Sequence, residues 1–557
     1  MDRASGQARP TFPADPWATL PAGVREDFEG YFAAATEALM TSGAVPRLDT
    51  IGHQLLLQQK RPGRVLLYPA GMFAKSAIPL LEADSGITIV GVIDRRGAAL
   101  GSFCGHPVIT IEGIASVEFD YVQILHPVYE AYFREFLIAA GVAAHRVRGL
   151  FTLPESTEAW RKDLKSSFSP KPVKTVCKTR NVVILRHMQT IVSEAVIAQI
   201  FDPAETLVLW IGAPFSKRPT RHFRVQDTFL SVDVLFDLLA QIRPEKVYLA
   251  TLVAENFYGL LVRKAAPEAL LIHEIYDWSI MCPDHGIAPV HMATLEQVGH
   301  SRAGEYWSVS KADAVITKRR GPCWDKVEAA FKVPYVRFNQ GSQLPRNPVG
   351  RSDGPPGLSV VYAGPVPYYD TAEDWPFLRF TPMLEALADR KDLWFELYNS
   401  FHQRRAEDHR FAPMLRKFSG KLRRYHRRTP LSKMIDVLPR FDYGWLCVHT
   451  WNDLAEFPDT HTVVSARVAT YVAAGLPIII DDSWEATTDL IEKYSAGFVV
   501  SNPKPSDIET ILSRVDPERH RAGALQLRRL FLEENDAAIR TLKGLRRFSS
   551  ATSAAAQ

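Results

Sequence analysis

Long apolar runs are missing from this chain of 557 residues; no stretch approaches the ~18 consecutive apolar residues that a membrane span requires. Cysteine is scarce as well. The five present (Cys104, Cys177, Cys282, Cys323, Cys447) are scattered, odd in number and never spaced Cys-x-x-Cys. That pattern argues against a disulfide framework or a thiolate zinc site and points to a reducing cytoplasm. The start, MDRASGQARPTFPADPW, has no apolar core, so a secretory leader is not expected. Neither sign of charge dominates: a net +4 over this length implies no global attraction to nucleic acid. What is there, 46% hydrophobic and 23% charged residues, is the composition of an ordinary globular protein. The chain is too long for one core, and three or four domains are expected.

The patterning predicts an α/β protein with three Rossmann-like parallel-sheet domains. Residues 1–60 read as a disordered start followed by a helical lead-in with Phe28, Tyr31, Phe32, Ala35 and Leu39 on one stripe. A small unit follows over 61–150, opened by the strand RVLLY, then ITIVGVI and YVQIL. Residues 151–180 are polar and lysine-rich and read as a linker. A second series spans 181–342, with NVVIL, TLVLW, KVYLAT, LLIHEI, ADAVIT and PYVRF as strands. The Pro/Gly-rich 343–357 is a second linker. A third series runs over 358–548, from LSVVYAG to a long terminal helix near Pro517–Arg546, and 549–557 is a disordered tail.

The densest signal is Ser465–Val500, SARVATYVAAGLPIIIDDSWEATTDLIEKYSAGFVV. Ser465 is a good N-cap, Gly475 and Pro477 stop the helix, and Ile478, Ile479 and Ile480 form a strand buried on both faces. This word order resembles the donor-sugar half of GT-B glycosyltransferases, whose usual form is Lys-x-x-Glu-Tyr-x-x-x-Gly-x-Pro ahead of an apolar strand. Here it stands as Arg467-x-x-Thr470-Tyr471-x-x-x-Gly475-x-Pro477. The resemblance covers about Asn181–Phe548 and implies two tandem Rossmann-like domains closed by a helix that crosses back over the first. The smaller unit resembles the nucleotide-binding domain found at the N-termini of sugar acyltransferases.

The GT-B resemblance implies a nucleotide-diphosphate sugar as donor and no essential metal or other cofactor. Gly364, which ends the first strand of the third series, Ser465 and Arg467 would face the diphosphate, whose charge must be stabilised as the glycosidic bond breaks. Tyr471 and Thr470 would meet the nucleoside or ribose, with Thr462 and Gly475 completing the donor side. Retaining members of the family carry Glu-x7-Glu; the matching positions are Thr462 and Thr470, so neither carboxylate is present. The Arg and Lys common after the first donor-domain strand are also absent from GPVPYYDTAEDW. Glu456 and Asp459, in the preceding loop, are the nearest substitutes. On the acceptor side His187, His273 and Asp277 are candidates for general base or sugar contact, since each follows or ends a strand at an expected switch point. Trp278 and Asp284 would shape the acceptor site.

In the small unit, Pro69-Ala70-Gly71 and Asp94 make a degraded dinucleotide fingerprint, with Gly71 and Asp94 as the candidate nucleotide contacts. Residues 404–428 hold ten Lys or Arg against two acidic residues, a solvated basic face or a surface for anionic lipid headgroups at the inner face of a membrane. The expected activity is sugar transfer from a nucleotide-diphosphate sugar to a glycan, lipid-linked or protein acceptor, in the cytoplasm. A binding or scaffold protein that has lost catalysis, and a sugar-nucleotide 2-epimerase, remain as alternatives.

Overall fold

Each series of apolar strands closes on its own sheet. The computed structural model describes residues 61–70, 72–94, 101–125, 130–149, 179–185, 190–211, 222–227, 232–252, 256, 258–278, 280, 295–331, 333–340, 357–366, 381–400, 402, 405–418, 422–447 and 462–546. The expected helical lead-in, residues 151–178 and 343–356 of the two linkers, His187, Gly71, Asp284, Glu456 and Asp459 lie outside them.

The first sheet holds β1 (Gly63–Tyr68), β2 (Ile87–Ile93), β3 (Ser102–Phe103), β4 (His106–Ile109), β5 (Tyr121–Ile124) and β6 (Val147–Arg148) in the order β3-β4-β2-β1-β5-β6. It is parallel except for the β3–β4 hairpin. The second holds β7 (Asn181–Leu185), β8 (Thr206–Trp210), β9 (Arg224–Asp227), β10 (Lys246–Thr251), β11 (Leu270–Ile275), β12 (Ala314–Thr317) and β13 (Tyr335–Arg337) in the order β13-β12-β11-β10-β7-β8-β9. The third holds β14 (Ser359–Gly364), β15 (Trp394–Asn399), β16 (Arg423–His426), β17 (Tyr443–Leu446), β18 (Ile478–Asp481) and β19 (Gly497–Val500) in the order β16-β15-β14-β17-β18-β19. The pairings within the last two sheets are all parallel. β7, β11 and β18 are buried at every residue, and in β7 and β18 the burial of both faces goes with the Val/Ile/Leu runs that such a position favours. In each sheet the order reverses beside one strand, β1, β7 or β14, and in open α/β sheets ligands bind at the carboxyl ends next to such a reversal.

In the second and third sheets two strands, β9 (RVQD) and β16 (RRYH), carry no apolar signature and went unread in the sequence. Both are edge strands, where charged side chains keep a sheet from pairing with another chain.

The terminal helix Pro517–Gly544 joins the second and third sheets. Its first half sends Ala524, Leu527 and Phe531 into the core of the third sheet. Its second half sends Ala538 and Leu542 into that of the second, with Val183, Ile316 and Phe338. Glu534 and Asn535 tie it to the end of β12 and the residues after β13: Arg320 donates to Glu534, Asn339 Nδ2 donates to Glu534 (2.7 Å) and Asn339 N to Asn535 Oδ1 (2.7 Å). This is the twin-sheet arrangement with a returning helix that the GT-B resemblance implies. Among the described residues no helix is long and apolar enough to cross a membrane.

Candidate functional site at the carboxyl edges of the second and third sheets

The helix Ala466–Ala473 begins as its sequence demands. Ser465 is extended and its hydroxyl accepts from Val468 N–H (3.3 Å), satisfying one orphan donor of the first turn. Helical periodicity then turns Val468, Ala469, Tyr471 and Val472 inward and leaves Arg467 and Thr470 half-buried on the other side. Arg467 lies across the end of β14. A Cβ on Gly364 would stand 2.7 Å from Arg467 Cδ, so only glycine lets the arginine stem cross there. Arg467 Nη1 donates to Tyr362 Oη (3.0 Å), and the guanidinium sits 5.9 and 6.0 Å from the Tyr362 and Trp484 rings. Burial pushes the Tyr362 phenol up to about 12 despite that cation. No carboxylate of the described residues lies within ion-pair distance of Arg467. The structure therefore brings Gly364, Ser465 and Arg467 together, with cationic N–H groups and a helix N-terminus at one strand end.

Four donor-side candidates are placed otherwise. Tyr471 is wholly buried: its ring fills the space above Gly444, where a Cβ would come within 2.5 Å of it, and its hydroxyl accepts from Ala363 N–H (2.8 Å). It locks the helix to β14 and β17 and is not open to a nucleoside. Thr462 is also fully buried, its hydroxyl accepting from Arg319 Nη1 (2.8 Å). Thr470 spends its hydroxyl proton on Ala466 O (2.7 Å), the back-bond to the preceding turn that threonines in helices make. Gly475, at φ +65°, reverses the chain at the far end of the helix, about 15 Å from Ser465 at about 1.5 Å per residue.

Residues 462–464 also fasten the third sheet to the second. Arg319 and Val463 form an antiparallel bridge, Arg320 N donates to Thr462 O (2.8 Å) and Val464 N to Lys318 O (3.3 Å). The segment Lys318-Arg319-Arg320, which leaves β12, is thus laid beside the residue preceding the Ser465 cap. Sequence reading missed it because its partners stand 143 and 214 positions away; its signal was three consecutive cations directly after an apolar strand.

Lys318 also reaches the acceptor-side candidate Asp277, at 3.1 Å, with its Nζ 3.5 Å above the Tyr276 ring. The lysine side chain is 6% exposed and the aspartate 32%, so Asp277 is the member of the pair that solvent or a ligand can reach. His273 is not in a cleft. It is fully buried, bonded through Nε2 to the Thr251 hydroxyl (2.7 Å), and burial lowers it to about 3, so it is a neutral imidazole at physiological pH. Trp278 is core, edge-on to Trp324 at 4.8 Å.

Around these lies a set of buried polar side chains that the sequence did not announce. Asn256 donates to Glu305 Oε2 (2.5 Å) and to Asp277 O (3.3 Å), and Glu305 Oε1 accepts from Ile280 N (3.1 Å). Glu274, one residue past His273 and on the opposite face of β11, accepts from Ile191 N (2.6 Å), Val192 N (3.0 Å) and the Tyr248 hydroxyl. Polar groups taken from water at this density persist only when they answer one another.

Elsewhere, Asp94 directly follows β2 and is buried, its backbone N–H donating to Ile109 O (3.1 Å). In the basic segment several cations have protein partners, while Arg405, Arg416, Arg424 and Arg428 are exposed. Arg427 pairs with Asp408 (2.6 Å), Lys417 with Asp389 (2.7 Å), Arg423 donates to Arg390 O (3.2 Å), and Arg424 lies over the Trp394 ring (4.9 Å). His426 meets buried Glu396 (2.7 Å).

No protein-family model matches the chain, and no curated protein matches it. Among solved structures it is similar to Anabaena HepE in complex with UDP-glucose, at 12% identity over 66% of this chain and 99% of that chain, with a TM-score of 0.42. It is similar to α,α-trehalose 6-phosphate synthase from Burkholderia multivorans at 10% identity, covering 65% and 93% of the two chains, with a TM-score of 0.39. The lipopolysaccharide outer core galactosyltransferase WaaB gives 12% identity, 65% and 99% coverage and a TM-score of 0.39.

Proposed function

We propose that the protein is a glycosyltransferase that takes its sugar from a nucleotide-diphosphate donor. The observation that carries this reading is Arg467: a cation laid across the glycine at the carboxyl end of β14, beside a capped helix N-terminus, with no described carboxylate to neutralise it. An anion is what such a place accepts, and a diphosphate between the twin sheets fits it. In the transfer, the bond from the anomeric carbon to the diphosphate oxygen breaks and its electron pair leaves with the nucleotide. Arg467 and the first-turn N–H groups stabilise that charge as it develops. The acceptor hydroxyl oxygen bonds to the anomeric carbon and gives up its proton, and in this reading Asp277 takes it, a role supported by its being reachable and held by Lys318. The acceptor is a glycan, a lipid-linked saccharide or a protein.

A second reading is favoured by Thr462 and Thr470. With one hydroxyl bonded to Arg319 and the other to Ala466 O, the positions that carry glutamates in retaining relatives offer no carboxylate, as in a nucleotide-sugar-binding protein without turnover. Ligand-detected NMR with UDP-, GDP-, CMP- and dTDP-sugars, on wild type and Arg467→Ala, tests both. Binding to at least one donor, lost in the variant, supports the site; hydrolysis or transfer of the bound sugar then separates enzyme from binder. Absence of binding to every donor would falsify the proposal.

A further inference from the structure

β11 carries a buried carboxylate that the proposed transfer does not use. Glu274 is fully buried, and its three donors come from two directions: the Ile191 and Val192 N–H groups from the chain following β7, and the Tyr248 hydroxyl from β10. The segment it grips is itself wired to Asp277. Thr190 O accepts from Gln340 Nε2 (3.0 Å), Gln340 Oε1 accepts from the Tyr276 hydroxyl (3.2 Å), and the Tyr276 ring lies under Lys318, the partner of Asp277. β7 stands beside the reversal of strand order, so the gripped segment borders the region where a ligand of this sheet belongs.

We propose that Glu274 is a positioning residue, holding segment 190–192 and, through Gln340, Tyr276 and Lys318, the placement of Asp277. Its use in transfer rests on the glycosyltransferase reading; its grip on the segment does not. A carboxylate is suited to this task because two N–H groups and a hydroxyl all donate and none accepts, and each bond is stronger to an ionised oxygen. Burial, the largest influence, pushes Glu274 up to about 7, while the Tyr248 hydroxyl, the Val192 and Ile191 N–H groups and the charge of Lys318 on β12 pull it down. The grip therefore weakens as pH falls through neutrality, when the acceptor gains a proton.

Hydrogen exchange on the full chain, read as protection factors for peptides covering 190–193, tests this against Glu274→Gln, whose amide places a donor where an acceptor is required. The variant is expected to lose protection there by on the order of tenfold, with helix 466–473 unchanged. Wild type should show protection falling as pH drops through about 7, an inflection absent from the variant. In transfer assays the variant lowers kcat while nucleotide affinity stays within about twofold of wild type. Should Glu274→Gln fail to fold, Tyr248→Phe keeps the carboxylate, removes a donor that lowers it, and moves the inflection to higher pH. Protection unchanged in Glu274→Gln, or an inflection unmoved in Tyr248→Phe, overturns the proposal. Failure of the glycosyltransferase reading would instead appear as no nucleotide binding by either protein, with the exchange result standing.

Discussion

At the carboxyl edge of β11 and β12, Asp277 is answered by Lys318, Glu305 by Asn256 and the Ile280 amide, and Glu274 by two amides and a phenol. At the carboxyl edge of β14, Arg467 is answered by a phenol and two ring faces, and by no described carboxylate. At the first edge the polar groups hold one another in place, and only Asp277 among these carboxylates is reached from outside. The second leaves a positive charge to be completed from outside. If this contrast is right, substitutions at the first edge should cost stability and substitutions at the second should cost ligand.

Glu305→Ala is the largest expected effect. It strips the acceptor from the buried Asn256 amide and the Ile280 N–H and leaves a cavity, for a loss of about 3–5 kcal/mol in denaturant unfolding. Nucleotide affinity of the folded fraction should be nearly unchanged. A loss of ligand without a loss of stability would break the comparison from this side.

Arg467→Ala is expected to do the reverse. Half-buried and, among the described residues, bonded to Tyr362 and set against aromatic faces, it contributes little to folding, so the unfolding free energy should change by less than about 1 kcal/mol. Affinity for a nucleoside diphosphate should fall by about 2–3 kcal/mol, the worth of hydrogen bonds to a charged partner, measured by titration calorimetry. Equal losses in stability and binding would make Arg467 a packing residue and remove the contrast.

How much of this was readable in the chain depends on whether the cause was local. The strands NVVIL and LPIII declare themselves because burial on both faces demands continuous apolar residues. The ends of helix 466–473 were fixed by Ser465 and Gly475. Side-chain direction was also available in principle: spacing puts Tyr471 on the stripe of Val468 and Val472, away from Arg467, which argued against its meeting a nucleoside. Family register outweighed that periodicity and misplaced Tyr471, Thr462 and Gly475. The Lys318–Arg320 seam and the Glu274 clamp could not be read, because each is made by residues dozens to hundreds of positions away. No local pattern distinguishes the His-Glu pair of β11 from any polar pair in a strand.

That pair supplies a sharper test of the first edge. In the fold His273 is lowered to about 3 from 6.5, and Glu274 is raised to about 7 from 4.5. Between pH 4.5 and 6.5 the unfolded chain holds a proton on the histidine that the folded one lacks, so this contribution to stability rises with pH. Over the same window the folded chain holds a proton on the glutamate that the unfolded one lacks, so that contribution falls with pH. The two slopes cancel in wild type. Glu274→Gln removes the second, and its stability should climb more steeply than wild type by about 1.4 kcal/mol per pH unit across that window. Parallel curves for the two proteins would mean that Glu274 is ionised throughout.

The smallest effect concerns Ser465, where the two edges are hardest to tell apart, because its hydroxyl serves the helix and stands beside Arg467. As a cap alone, accepting from Val468 N–H, it is worth about 1 kcal/mol of stability, and Ser465→Ala should lose that while Ser465→Gly loses only a few tenths. Nucleotide affinity follows a different rule if the anion sits on the first turn. Alanine and glycine both lack the hydroxyl, so affinity should drop by the same small factor in both variants, while stability separates them. If affinity instead tracks stability, with Ser465→Gly binding as wild type does, the hydroxyl acts only through the helix and the anion is held by Arg467 and the backbone.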